Sequence, residues 1–397
     1  MIPWVPILNK ERLGPRRRKR RIVRLRRSAV ALVLLAGAAG PLLALRSDDS
    51  ASALAIDAAP SAPAPVPPPP PPAPSAAPKL RLAAVGDIVM GSPPYGLPPD
   101  GGASFFAAVD DLVAGDVVVG NLEGTLSLGG SSKCGSRSTN CFAFRTPPSY
   151  ARWLRRAGFT VMNLANNHAF DFGRQGQRET VAALDRVGLL HTGRPGEVAV
   201  QTVRGVRIAL VGFAAYAWAN PLTDIPRARQ IVASAAREAD LVVVTMHAGA
   251  EGSDRTHVRP GAETYLGEPR GDSLRFSHAV VEAGADLVVG HGPHVMRGME
   301  FHRGRLIAYS MGNFAGYEVF GLGGTLSTSG VLQVTLRADG SFVSGRLRPT
   351  RLVDPGTPAP GGDAVALVAR VSREDFGARA ARISGDGRIR PPSGQSG

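Results

Sequence analysis

The chain has 397 residues, 44% hydrophobic and 20% charged, with a net charge of +14, which is ample for a core in one large domain or two ordinary ones. Residues 1–27 hold eleven Lys/Arg against one Glu, so this tail carries +10 and everything after it only +4. The basic balance therefore describes a tail without interleaved aromatic platforms, and excludes a nucleic-acid-binding reading of the folded part.

The basic run Arg16–Arg27 leads directly into residues 28–45, eighteen positions without a charge and rich in Ala, Leu and Val. That is close to the roughly 20 apolar residues a spanning helix needs and longer than a usual signal-peptide apolar region of about 7–15. A single transmembrane helix is expected there. The positive-inside rule puts residues 1–27 in the cytoplasm and the remainder in an extracytoplasmic position, held at the cell membrane. Small residues at 51–55 leave signal-peptide cleavage as the alternative, and both routes export the domain. Residues 46–78 are a linker. Eleven prolines fall between Ala58 and Pro78. Such a tract either forms stiff polyproline II at about 3.1 Å per residue, holding the domain roughly 60 Å from the membrane, or is a spacer of no required length. The only cysteines, Cys134 and Cys141, lie close together in a Gly/Ser-rich loop. In an exported protein they read as a disulfide, a constraint on the order of 2.5 kcal/mol in the chain-entropy model.

From residue 79 onward one local pattern recurs, in which an apolar run of strand length ends on a polar or Gly-rich cluster. Residues 80–85 lead into Gly86-Asp87, 117–119 into Gly120-Asn121-Leu122-Glu123, and 159–162 into Asn163-Leu164-Ala165-Asn166-Asn167-His168, with Asp171 beyond. Residues 241–244 lead into Thr245-Met246-His247, and 287–289 into Gly290-His291-Gly292-Pro293-His294. Runs 208–211 and 306–309 end at Gly212 and at Ser310-Met311-Gly312-Asn313. Helix-like segments at 149–157, 176–187, 227–239 and 273–283 lie between them, which predicts an α/β layered fold.

In such sheets ligands gather beyond the carboxyl ends of the strands. A lone Asn or Asp there is a turn residue for backbone reasons, but five strand ends bearing Asp87, Glu123, Asn167/His168, His247 and His291/His294 point to a metal site. Mixed oxygen and nitrogen donors without thiolate suit manganese, iron or zinc. Six candidate ligands exceed one four-coordinate ion, so one or two divalent metal ions are expected, with Glu123 able to bridge a pair. Arg145 and Asn313 are candidates for substrate binding, Arg145 by gripping an anionic group. Glu251 is read as an orienter for His247 or a plain loop carboxylate, and Asp171 as fixing its loop by hydrogen bonds.

The ordered set Gly86-Asp87, Asn121-Leu122-Glu123, the stretch from Ala165 to Gly173, His247-Ala248-Gly249-Ala250-Glu251, Gly290-His291-Gly292-Pro293-His294 and Tyr309-Ser310-Met311-Gly312-Asn313-Phe314 resembles the calcineurin-like metallophosphoesterase superfamily. Within it the chain looks most like the CapA branch, the poly-γ-glutamate capsule-synthesis proteins of bacterial envelopes. The resemblance implies a four-layer α/β sandwich spanning 79–385, followed by a flexible tail at 386–397. It implies Asp87 on a first metal, Glu123 bridging, Asn167 on a second, His247, His291 and His294 completing the shells, and His168 as the catalytic acid or donor. It also implies a metal-dependent hydrolase or transferase acting on an anionic envelope polymer, alongside other capsule-synthesis proteins, or a non-catalytic component of such a complex. Val89 stands where phosphoesterases carry a His, and the bridging residue is Glu123 where Asp is usual.

Overall fold

The computed structural model describes residues 77–394 apart from residue 94 and residues 136–140. The expected membrane segment at 28–45, the basic tail and nearly all of the linker lie outside the described residues. Among the described residues no helix is long and apolar enough to cross a membrane.

Two sheets carry the fold, one of ten strands and one of seven. The first is built around Lys79–Val89, flanked by the parallel strands Val117–Leu122 and Asn313–Gly316 and by antiparallel Thr328–Arg337. Val161–Asn163 adds to Val117–Leu122 in parallel. The second has parallel Val206–Ala214, Leu241–His247, Leu287–His291 and Arg305–Ala308 at its centre. These strands are apolar almost throughout because both faces are covered, as buried parallel strands require.

Alternation along each strand sorts the side chains into layers. Leu80, Leu82 and Ala84 from the first sheet share a cluster with Ile208, Leu210, Leu241, Val243 and Leu287 from the second, so the sheets pack face to face. The intervening residues turn outward. Ala83 and Val85 meet Leu154 of helix Ala151–Arg156 and Leu184 of helix Gly173–Arg186. Ala209 and Val211 meet Val232 of helix Ile225–Glu238 and Val280 of helix Ser273–Glu282. Asp224 and Asp272 cap the last two helices, accepting from the backbone N–H of Arg227 at 3.0 Å and Arg275 at 2.9 Å. Helix–sheet–sheet–helix layering follows from this packing. Cys134 and Cys141 are joined in a disulfide.

The fold extends past residue 385, where the sequence-based boundary ended it. Arg388–Arg390 is a strand paired to Phe342–Val353, and Arg382–Ile383 pairs with it in turn. Two or three residues alternating Arg and Ile are too short to register as a strand without the partner they pair with.

Leu210 is fully buried between the sheets. Leu210→Ala is expected to lower stability by about 2–5 kcal/mol in urea denaturation, whereas Val200→Ala at an exposed strand position should change it by less than about 0.5 kcal/mol.

Candidate metal centre

Strand register brings the polar strand ends together. Asp87 is level with Asn121 on one side and Asn313 on the other, Asn121 is level with Asn163, and in the second sheet His247 is level with His291. The two sheets are tied at this edge by His291, whose Nε2–H donates to the Val85 carbonyl at 3.0 Å. Backbones must approach closely here. A Cβ at Gly86 would fall 1.9 Å from the Gly312 carbonyl oxygen, while the Asp87 N–H donates to that same carbonyl at 2.9 Å. His294 sits at φ +60°, a left-handed conformation that non-glycine residues rarely adopt. That turn puts its Nδ1 2.8 Å from Asn313 Oδ1 and 3.2 Å from Asp87 Oδ2, and its Nε2 3.6 Å from Glu123 Oε1.

The donor atoms of Asp87, Glu123 and His294 lie within 4.8 Å of one another. Asp87 Oδ2, both carboxylate oxygens of Glu123 and Asn167 Oδ1 are buried without a hydrogen-bond partner. Unpartnered buried carboxylate oxygens are costly, and a cation is what satisfies them. Burial, reinforced by the charges of Asp87 and Glu251, pushes the Glu123 carboxyl well above its usual range. Burial opposes ionisation of Asp87 too, but the close approach and charge of His294, 3.2 Å away, hold it at about 2. His294 itself, against the effect of burial, is raised to about 10 by Glu123, Glu251 and Asp87. The cluster thus holds a proton on His294 as its counter-charge. Its oxygen and nitrogen donors, with no thiolate among them, fit a divalent ion of the manganese, iron or zinc kind.

His247 completes the wall. Its Nε2 lies 3.7 Å from Glu123 Oε1 and its Nδ1 3.4 Å from the Asn121 amide, and burial drives its pKa well down, leaving a neutral imidazole. His291 spends Nε2 on Val85, so only its buried, unpartnered Nδ1 is open to a ligand. A train of amides braces the centre from behind. Asn121 Nδ2 donates to Asp87 Oδ1 at 2.8 Å, and Asn121 Oδ1 accepts from Asn163 at 2.8 Å and Asn166 at 3.1 Å. Asn166 Oδ1 in turn accepts from the His168 backbone N–H at 3.0 Å.

His168 stands beside Phe144, ring centroids 4.4 Å apart. Its Nδ1 lies 2.8 Å from Asp171 Oδ2, which also accepts from the Phe144 backbone N–H at 2.6 Å. The other oxygen of Asp171 pairs with Lys133 at 2.7 Å, and the Lys133 ammonium also reaches the Asn167 carbonyl at 3.1 Å. Asp171 therefore fixes its loop by hydrogen bonds, as expected, and in addition orients His168, and lysine from the disulfide loop secures both. Burial lowers the His168 pKa against the pull of Asp171.

Two expected substrate contacts look different in place. Both ends of the Asn313 amide are engaged inside the protein, by His294 and by the Leu326 carbonyl at 3.1 Å, so it holds the His294 ring. Arg145 lays its guanidinium over the Phe172 ring at 4.0 Å and donates to the Leu128 carbonyl at 3.4 Å. Arg270 was not foreseen. Its side chain is buried, paired with Glu251 and 3.5 Å from His247 Nε2, with Nε left unpartnered. Nor was Trp218, which donates to the Asn166 carbonyl at 3.0 Å and stacks between Phe170 and Tyr216. Neither stands at the end of a predicted strand, so no local signal marked them.

A family model described as bacterial capsule synthesis protein PGA_cap matches residues 81–318, which contain every one of these candidate ligands. The chain belongs to this family. PGA_cap proteins fall within the metallophosphoesterase-like superfamily. The PGA biosynthesis protein CapA of Bacillus subtilis is 31% identical over 306 residues, covering 71% of this chain and 73% of that protein. The capsule biosynthesis protein CapA of Bacillus anthracis is 32% identical over 291 residues, covering 67% and 66%. Among solved structures, the NAD nucleotidase of Haemophilus influenzae is similar at 14% identity and a TM-score of 0.39, covering 76% of this chain and 57% of that one. At that distance the likeness carries no residue roles.

For this PGA_cap chain, Asn313→Ala is expected to weaken divalent-metal binding by about 10–100-fold in chelator competition, because the His294 ring loses its brace. Unchanged affinity would remove Asn313 from the metal centre. Since His294 must give up its proton to become a ligand, metal affinity should rise with pH by about tenfold per unit between pH 6 and 8, followed by calorimetry.

Proposed function

We propose that this chain is an extracytoplasmic, metal-dependent member of the PGA_cap family that acts on an envelope polymer of the poly-γ-glutamate type. Its role lies in synthesis, export or attachment of that polymer, by hydrolase or transferase chemistry. Residues 28–45 serve as the membrane anchor in this reading, and other capsule-synthesis proteins are its partners. The observation that carries the chemical part is the set of buried, unpartnered oxygens on Asp87 and Glu123, beside His247 and His294, with a further unpartnered oxygen on Asn167 next to His168.

One or two divalent ions held by these residues would supply Lewis acidity to a water and to a phosphoryl or carbonyl oxygen. The chain's own contribution is proton handling. The carboxylate of Asp171 keeps a proton on His168 Nδ1, so the neutral ring offers Nε2, which has no hydrogen-bond partner among the described residues. From Nε2 a proton can be taken up and then passed to the departing oxygen or nitrogen. Arg270, pinned by Glu251 next to His247, adds a fixed positive charge that favours an anionic substrate group.

The alternative is a non-catalytic component that keeps the site to bind polymer or hold a complex together. Val89 favours it, since that position, a His in phosphoesterases, packs in an apolar cluster with Phe144 and Val319 and offers no ligand. A screen of phosphodiester and γ-glutamyl amide substrates decides between them. The enzymatic reading expects metal-dependent turnover that His168→Ala reduces by about 10²–10⁴-fold while bound metal stays constant. No turnover by the metal-loaded protein, together with polymer production that survives loss of metal in His247→Ala, would refute it.

A further inference from the structure

A second charged feature lies at the far edge of the ten-stranded sheet, in a part of the chain beyond the family match. Antiparallel pairing sets Arg382 directly opposite Arg390, and Arg346 directly opposite Arg388. Paired residues share a face, as do residues two apart on a strand, so all four guanidinium groups stand on one face. Ile389 between them turns to the core. Cross-strand neighbours in such a ladder lie about 4.5–5.5 Å apart, and like charges placed opposite one another are destabilising.

Among the described residues acidic neighbours relieve this only in part. Asp386 is the one carboxylate among the described residues lining the adjoining cleft of about 750 Å³, and it serves Arg388 at 3.1 Å and Arg346 at 3.9 Å. Among the described residues Arg382 has only the Ser393 hydroxyl, at 3.0 Å. Arg390 forms no ion pair among the described residues, nor does Arg373, which reaches the same cleft from helix Ala364–Phe376. Three strands separate Arg382–Ile383 from Lys79–Val89, on the order of 19 Å across the sheet, so this is not part of the metal centre.

We propose that this arginine face and its cleft form a binding site for an extended polycarboxylate chain, which supplies the missing counter-charges. Guanidinium groups bind carboxylates through paired N–H donors, and a row of them a few ångströms apart suits a ligand with repeated carboxylates better than a single small anion. Choosing a carboxylate polymer rests on the capsule-polymer reading above; the unbalanced arginines do not.

The test is binding of fluorescent poly-γ-glutamate to the full-length chain, with Arg382→Ala/Arg390→Ala compared against the equally charge-reduced helix variant Arg227→Ala/Arg237→Ala. All variants retain the +10 tail, so its contribution is constant. The first variant should bind about tenfold more weakly or worse, the second within about twofold of the parent. Relief of the cross-strand repulsion should also leave the thermal midpoint of the first unchanged or higher. Repeating the comparison in a Glu123→Gln background separates the two readings, because the cleft should retain its affinity there whatever becomes of turnover. Equal losses in both variants, or none in the first, would overturn the proposal. So would binding to phosphatidylglycerol vesicles in preference to the polymer.

Discussion

Asp87 and Glu123 are both buried completely, within reach of each other, and between them they leave three carboxylate oxygens without a hydrogen bond. Two anions in that position repel one another and have lost their water, so something positive must lie among them. The protein's own answer is a proton on His294, held there by Glu123, Glu251 and Asp87. A divalent ion would answer the same need with more charge and could take the imidazole as a ligand. The rest of the edge follows from this constraint, including the left-handed backbone at His294, the glycine at position 86 and the closely fitted loop at Gly312.

Around this charge cluster lies a shell of amides that are themselves uncharged. Asn121, Asn163 and Asn166 satisfy one another and one oxygen of Asp87, which leaves the second oxygen for the centre. Because each amide both donates and accepts, the network fixes side-chain direction without adding charge to a site that already has too much. Its outer end reaches the His168 backbone, so the base-like imidazole and the carboxylates are positioned by one continuous set of bonds. Lys133 binds the opposite side of the same loop through Asp171, next to the disulfide at Cys134.

The distribution of positive charge is read differently at three scales. The first 27 residues carry +10, and the folded part from residue 79 onward holds 34 Lys/Arg against 28 Asp/Glu. Within that part, Arg270 is buried and held in place by Glu251, whereas Arg346, Arg382, Arg388 and Arg390 are set against one another with a single aspartate among the described residues. A modest positive balance over the domain therefore conceals one locally unbalanced face.

Much of the fold was legible because the parallel strands are continuous apolar runs and the helices between them are amphipathic. The helix expected at 227–239 is Ile225–Glu238, and that at 273–283 is Ser273–Glu282. The strand ends announced Asp87, Glu123, Asn167, His247 and His294 as a group, since a polar cluster after a buried strand is a local signal. Sequence alone did not reveal which atoms remain free, because that depends on partners distant in the chain: Val85 takes His291 Nε2, and Asn313 takes His294 Nδ1. Arg270 and Trp218 join the site through contacts between loops, which no periodicity records. The opposition of Arg382 to Arg390 was likewise decided only by strand pairing. Local sequence determined which segments are strands and where their polar ends fall; the register between strands, set by packing of the two sheets, decided which of those ends face one another.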